Sequence, residues 1–152
     1  MNKTIHKLVL GALLAGSLNV AYAADPKPEE EVRYRQSVFN VIGRSCALLG
    51  AFVKGEKPYD QAAAVKAANI VASLSTLPFG SFGPGTDVGT HKADPKIWSD
   101  SGKFKQAAED FQAEVKKLPA AASSADTLKA QFGAVGKTCK ACHDDFRVKD
   151  KK

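Results

Sequence analysis

The chain has 152 residues, with 22 Lys and Arg against 16 Asp and Glu, a formal charge of +6. That length suits one domain with a single core. A surplus so small, and spread along the chain, does not argue for nucleic-acid binding.

Residues 1–23 read as a secretory signal peptide. Lys3 and Lys7 precede a largely apolar run from Leu8 to Val20, and Ala21-Tyr22-Ala23 supplies the cleavage site. The run is too short for a membrane anchor. The expected mature protein is exported and soluble, with residues 24–152 as its single domain. Loss of Lys3 and Lys7 brings its charge to about +4 by the same count. It also removes Met1, the one methionine.

Pro26, Pro28 and Glu29-Glu30-Glu31 lead into a first helix, where acidic side chains suit the positive end of the helix dipole. From Val32, the residues Arg35, Phe39, Ile42, Cys46, Leu49 and Val53 recur at four, three, four, three and four. They form one helix face, apolar except at Arg35. Lys54 to Pro58 ends it. A second helix is predicted over Tyr59–Ser75, burying Ala63, Ala67, Ile70, Val71 and Leu74. Its alanines allow close approach of another helix.

Leu77 to Pro95 is predicted to be a long irregular segment rich in glycine. It contains His91, read as a solvated loop residue, with service as an iron ligand the other reading. A third helix is predicted over Asp100–Lys117, with Phe104, Ala108, Phe111, Val115 and Leu118 inward and Pro119 as its stop. The fourth follows a cap at Ser124 or Asp126. There Leu128, Phe132, Val135, Cys139, Cys142 and Phe146 keep the helical rhythm. No strand alternation or repeat interrupts the pattern. The expected fold is all-α: an antiparallel four-helix bundle with a prosthetic group in its core.

Cys139-Lys140-Ala141-Cys142-His143 names that group. C-x-x-C-H is the attachment pattern for a c-type haem. Cys139 and Cys142 stand i, i+3 on a helix, so both thiols point one way and can form thioethers with the haem vinyl groups. The imidazole of His143 then takes the iron from one side. A zinc site would need a fourth soft ligand, and Cys46 has no partner beside it. A thioredoxin-like dithiol would need a βαβ setting that is missing here. Cys46 itself reads as a small apolar core residue, a reactive or interchain thiol being the other reading.

Nine residues, 144 to 152, follow His143, too few to fold back over a haem. Earlier helices must cover the opposite face, and the mature chain has no methionine to bind there. The sixth position is then open, or taken by His91 or a lysine. Phe39 is the candidate lid. An apolar lid gives no hydrogen bond to bound dioxygen, whereas nitric oxide and carbon monoxide need none. Arg35, on the same stripe, needs an anion if buried, and a haem propionate would serve.

Five stretches resemble the cytochrome c' family, the class II c-type cytochromes: Val32-Arg33-Tyr34-Arg35-Gln36-Ser37, Lys57-Pro58-Tyr59-Asp60, Phe82-Gly83-Pro84-Gly85-Thr86, Ile97-Trp98-Ser99, and Cys139 to His143 followed by Arg147. They span nearly all of the mature chain. The resemblance implies a periplasmic four-helix bundle with five-coordinate, high-spin iron and an apolar distal side. It implies binding of nitric oxide and carbon monoxide, discrimination against dioxygen, and a homodimer formed through the first two helices. By position it makes His143 the iron ligand and Cys139 with Cys142 the thioether pair. Arg147 falls on the proximal side, Arg35 and Gln36 on the propionate side, and Thr90 at the haem edge. Phe39 stands where an aliphatic distal residue is common, and Phe79 where some members have tryptophan.

The leading expectation is thus a nitric oxide-binding protein, with simple electron transfer to an unidentified redox partner as the alternative. Enzymatic turnover ranks last, because no distal acid or base is evident.

Overall fold

A computed structural model describes residues 25–149. The expected signal peptide and its cleavage site therefore lie outside the described residues. Four long helices and two short ones make up the fold: α1 (Pro28–Val53), α2 (Gln61–Leu74), a 3-10 helix (Leu77–Ser81), α3 (Lys96–Ser99), α4 (Ser101–Ala121) and α5 (Ala125–Phe146). Helix α1 packs on α2 and α5, α2 on α4, and α4 on α5. This closes the expected four-helix bundle. No strand forms among the described residues. A single bridge pairs Ala93 with Arg147.

Helix α1 begins at Pro28, four residues before Val32, because proline at the first position forfeits a donor that would be unpaired anyway. The Glu30 carboxylate accepts the Lys27 backbone N–H at 3.1 Å, and Glu29 to Glu31 fill the acidic first turn. At the other end Gly55 takes φ 73°. The N–H of Gly55 donates to Phe52 O and that of Glu56 to Ala51 O, the paired closure of a Schellman motif. Asp60 then caps α2 through Ala63 N at 3.0 Å.

The inward face of α2 is turned from the expected one. Ala64, Ala67, Ala68 and Val71 are buried, whereas Ala63, Ile70 and Leu74 are half-buried. Alanine cannot mark a face by hydropathy alone, so tertiary packing chose between adjacent stripes.

Helix α4 also runs past its expected stop, with Pro119 inside its last turn. The terminal carbonyls find other donors there: Tyr59 Oη donates to Ala122 O and Thr127 Oγ1 to Ala121 O, both at 2.7 Å. Ser124, not Asp126, caps α5 by accepting from Thr127 N. The segment expected to be irregular from Leu77 opens with the 3-10 helix, and α3 follows Pro95.

Leu49, Val71, Val115, Leu118 and Leu128 are fully enclosed at the centre. Each such side chain contributes about 1.5–3 kcal/mol. By length and hydropathy alone, Pro28–Val53 and Gln61–Ser81 could cross a bilayer. Each instead sets an apolar face into the bundle core.

Candidate haem site

Cys139 and Cys142 lie on α5, both half-buried. Cys139 packs against the core cluster, as do Phe39 and Cys46 from α1. Burial pushes the Cys139 thiol up and that of Cys142 up to about 11, with Cys139 and Asp145 adding to the latter. Cys46 is likewise pushed up to about 11, by burial first and Cys139 second. It fits the expected small core residue.

His143 is exposed. Partial desolvation, aided by the Arg147 guanidinium and opposed by Asp144, lowers its pKa. Among the described residues no three His, Cys, Asp or Glu side chains converge as a metal-binding group. One imidazole beside two half-buried thiols suits a group that brings its own four nitrogens. The residues fit a c-type haem.

His91 does not behave as the expected solvated loop residue. Its side chain is only 11% exposed, and Nε2 lies 3.0 Å from Asp87 Oδ1. Nδ1 accepts the Ala93 N–H at 3.1 Å. One nitrogen donates and the other accepts, so neither has a lone pair left for iron.

Arg35 is 2% exposed. Its Nη1 donates to Ser81 O at 2.7 Å and to Thr86 Oγ1 at 3.0 Å, and Nη2 donates to Thr86 O at 2.9 Å. Burial lowers its pKa, against the raising influence of Asp87 and Glu31. The expected propionate contact would have to draw on the remaining donors of its five. Gln36 and Thr90 meet directly, Gln36 Nε2 donating to Thr90 O at 2.9 Å, on the exposed surface.

Phe39 is half-buried and sits in an aromatic cluster. Its ring meets Phe79 edge-on at 5.9 Å and Phe82 at 6.5 Å. Phe104 touches Phe79, Phe82 and Phe146, so the cluster reaches the end of α5. The sequence reading gave no role to Ser81, Thr86 or Trp98. Gly83-Pro84-Gly85-Thr86 did carry a signal. Proline followed by glycine is the centre of a type II turn, and Thr86 N closes it onto Gly83 O with Gly85 at φ 79°. Trp98 Nε1 donates to the same Gly83 O.

A cavity of about 600 Å³ opens beside Pro26, Glu30, Glu31, Tyr34, Gly80 and Ser81. None of the motif residues lines it.

The family model for cytochrome c' matches residues 30–147. Cytochrome c' from Alcaligenes xylosoxydans xylosoxydans is 45% identical over 125 residues, 81% of this chain and 97% of that protein. Cytochrome c' from Rubrivivax gelatinosus is similar in structure, with TM-score 0.76 and 41% identity over 80% of this chain and 97% of that one. A nitric oxide complex of a variant of the Alcaligenes xylosoxidans cytochrome c' has TM-score 0.75 and 45% identity, covering 81% and 98%. With the bundle and the C-x-x-C-H helix, these likenesses establish that the chain belongs to the cytochrome c' family and carries a c-type haem.

Proposed function

We propose that this chain is a periplasmic haem protein that binds nitric oxide or carbon monoxide at five-coordinate iron. Cys139 and Cys142 hold the haem by thioethers, and His143 ligates the iron from one side. The observation that carries this reading is the double engagement of His91. With His91 occupied and no methionine after Met1, only a lysine is left of the expected alternatives to an open site. The haem supplies the iron that takes up the diatomic ligand.

The chain's own contribution is selection. Phe39 and its neighbours Phe79 and Phe82 present hydrocarbon to the distal side, which offers dioxygen no donor. Arg147 stands beside His143 as a positive charge on the proximal side. Gln36 and Thr90 edge the site, with Arg35 fixing the loop behind them. No distal acid or base to move protons is evident in the sequence, which favours sequestration or carriage over enzymatic turnover.

Export follows cleavage after Ala23, by the signal peptide pattern of residues 1–23, and leaves no membrane attachment. Homodimer formation is proposed through α1 and α2. Their outer surfaces carry the exposed Val41 and the half-buried Ile70 and Leu74. Electron exchange with a periplasmic partner is a secondary role.

Ferric and ferrous absorption spectra, with and without nitric oxide, test the reading. High-spin iron that shifts on nitric oxide addition is expected. A low-spin ferric spectrum at neutral pH with two nitrogen ligands overturns it.

A further inference from the structure

The chain leaves α5 at Phe146, and Arg147 is the first extended residue, at φ −122° and ψ 125°. Its direction is set by pairing with the far end of the loop. Asp94 N donates to Phe146 O at 3.0 Å and Val148 N to Lys92 O at 2.9 Å. These two bonds flank the Ala93–Arg147 bridge, which makes Ala93 and Arg147 a non-hydrogen-bonded antiparallel pair. In such a pair the N–H of Ala93 must point away from Arg147, and a half-buried donor needs a partner on that other side. His91 Nδ1 is that partner, at 3.1 Å. The His91 ring is itself held by Asp87 at Nε2 and lies 6.3 Å from the Trp98 ring. At the other end of this chain of contacts, Arg147 lies four residues past His143, at the C-terminal end of α5.

We propose that His91 is a positioning residue for the proximal side: by capping the Ala93 N–H it locks the bridge that holds Arg147 beside His143. It acts through the backbone and touches neither the haem nor the iron. The proposal rests on the reading of His143 as the iron ligand. It gives the loop a task distinct from covering the distal face, and it explains why a nearly enclosed histidine spends both nitrogens on local bonds.

The test compares the haem-loaded wild type with His91→Ala, His91→Asn and Arg147→Ala. An asparagine oxygen can accept the N–H two residues on, as in an Asx turn, so His91→Asn keeps the cap while losing the contact with Asp87. Two readouts serve: the iron–histidine stretching frequency of the ferrous protein by resonance Raman, and amide hydrogen exchange at Asp94 and Val148. In His91→Ala the stretch should move in the same direction as in Arg147→Ala, and both amides should exchange about three- to tenfold faster. His91→Asn should restore both readouts. The proposal is overturned if His91→Ala leaves the stretch at its wild-type frequency, or if His91→Asn fails to restore it. Should His91→Ala give no folded protein, His91→Phe, which keeps a ring beside Trp98 but offers no acceptor to Ala93 N–H, takes its place, shifted readouts supporting the role and unchanged ones opposing it. A wild type with no five-coordinate iron–histidine band would sink the ligand-binding reading instead. The exchange comparison would still decide whether His91 holds the bridge.

Discussion

The guanidinium carbon of Arg35 lies 4.3 Å from the centre of the Phe82 ring, while its nitrogens bond Ser81 and Thr86 across 46 and 51 residues of sequence. One side chain thus joins α1 to the turn that follows the 3-10 helix. It also stacks on a ring that contacts Phe39. A planar cation with forked donors can do both at once; a point charge cannot.

Arg35→Ala should destabilise the haem-loaded protein by about 2–4 kcal/mol, because it strands buried carbonyls of Ser81 and Thr86. Arg35→Lys should recover no more than about half of that loss. Urea unfolding followed by far-UV circular dichroism measures both. Equal stability of Arg35→Ala and wild type would show that the clamp holds nothing.

Phe39→Leu removes a ring braced edge-on by Phe79. If the ring screens the open side of the iron, carbon monoxide association should quicken on the order of tenfold, equivalent to about 1.4 kcal/mol of barrier. Stopped-flow mixing of the ferrous protein reads the rate. An unchanged rate with an intact ferrous spectrum would remove Phe39 from the entry path.

The three thiols should divide by role. Burial pushes the Cys46 thiol up to about 11, so iodoacetamide at pH 8 should label it slowly in the folded protein. Cys46→Ala should keep the full haem content. Cys139→Ser or Cys142→Ser should lose one thioether, seen as a shift of the pyridine haemochrome band. Loss of haem in Cys46→Ala would contradict this division.

Glu114 links α4 to α5, Gln131 Nε2 donating to its carboxylate at 2.8 Å and to its backbone oxygen at 2.9 Å. Lys117, then Gln131, hold its carboxyl below the usual value of 4.5. The folded state therefore binds this proton less readily than the unfolded state. The resulting stabilisation is complete above 4.5 and is lost as pH falls through the lower folded value. The urea midpoint of wild type should exceed that of Glu114→Gln at pH 6, with the gap closing as pH drops below 4.5. A pH-independent gap would assign the effect to packing instead.

The motif that implies the haem was legible because its pattern is local. Cys139, Cys142 and His143 are brought together by one turn of one helix, whose geometry needs no partner. The same holds for the stripes of α1, α4 and α5 and for the acidic start of α1, while the cap of α5 stayed open between Ser124 and Asp126. Periodicity was silent where residues were chemically bland. The alanines of α2 left two faces open, and Pro119 was absorbed because Tyr59 and Thr127 serve the end of α4.

By itself, then, the sequence determined the class of fold and the haem, both through spacings of three or four residues. Only the tertiary structure decided what Arg35 holds, which side of α2 faces inward, and that His91 turns both nitrogens to Asp87 and Ala93. Those outcomes depend on which donors and acceptors meet once distant segments pack. Hydrogen bonds are too short-ranged and directional for any pattern along the chain to encode them.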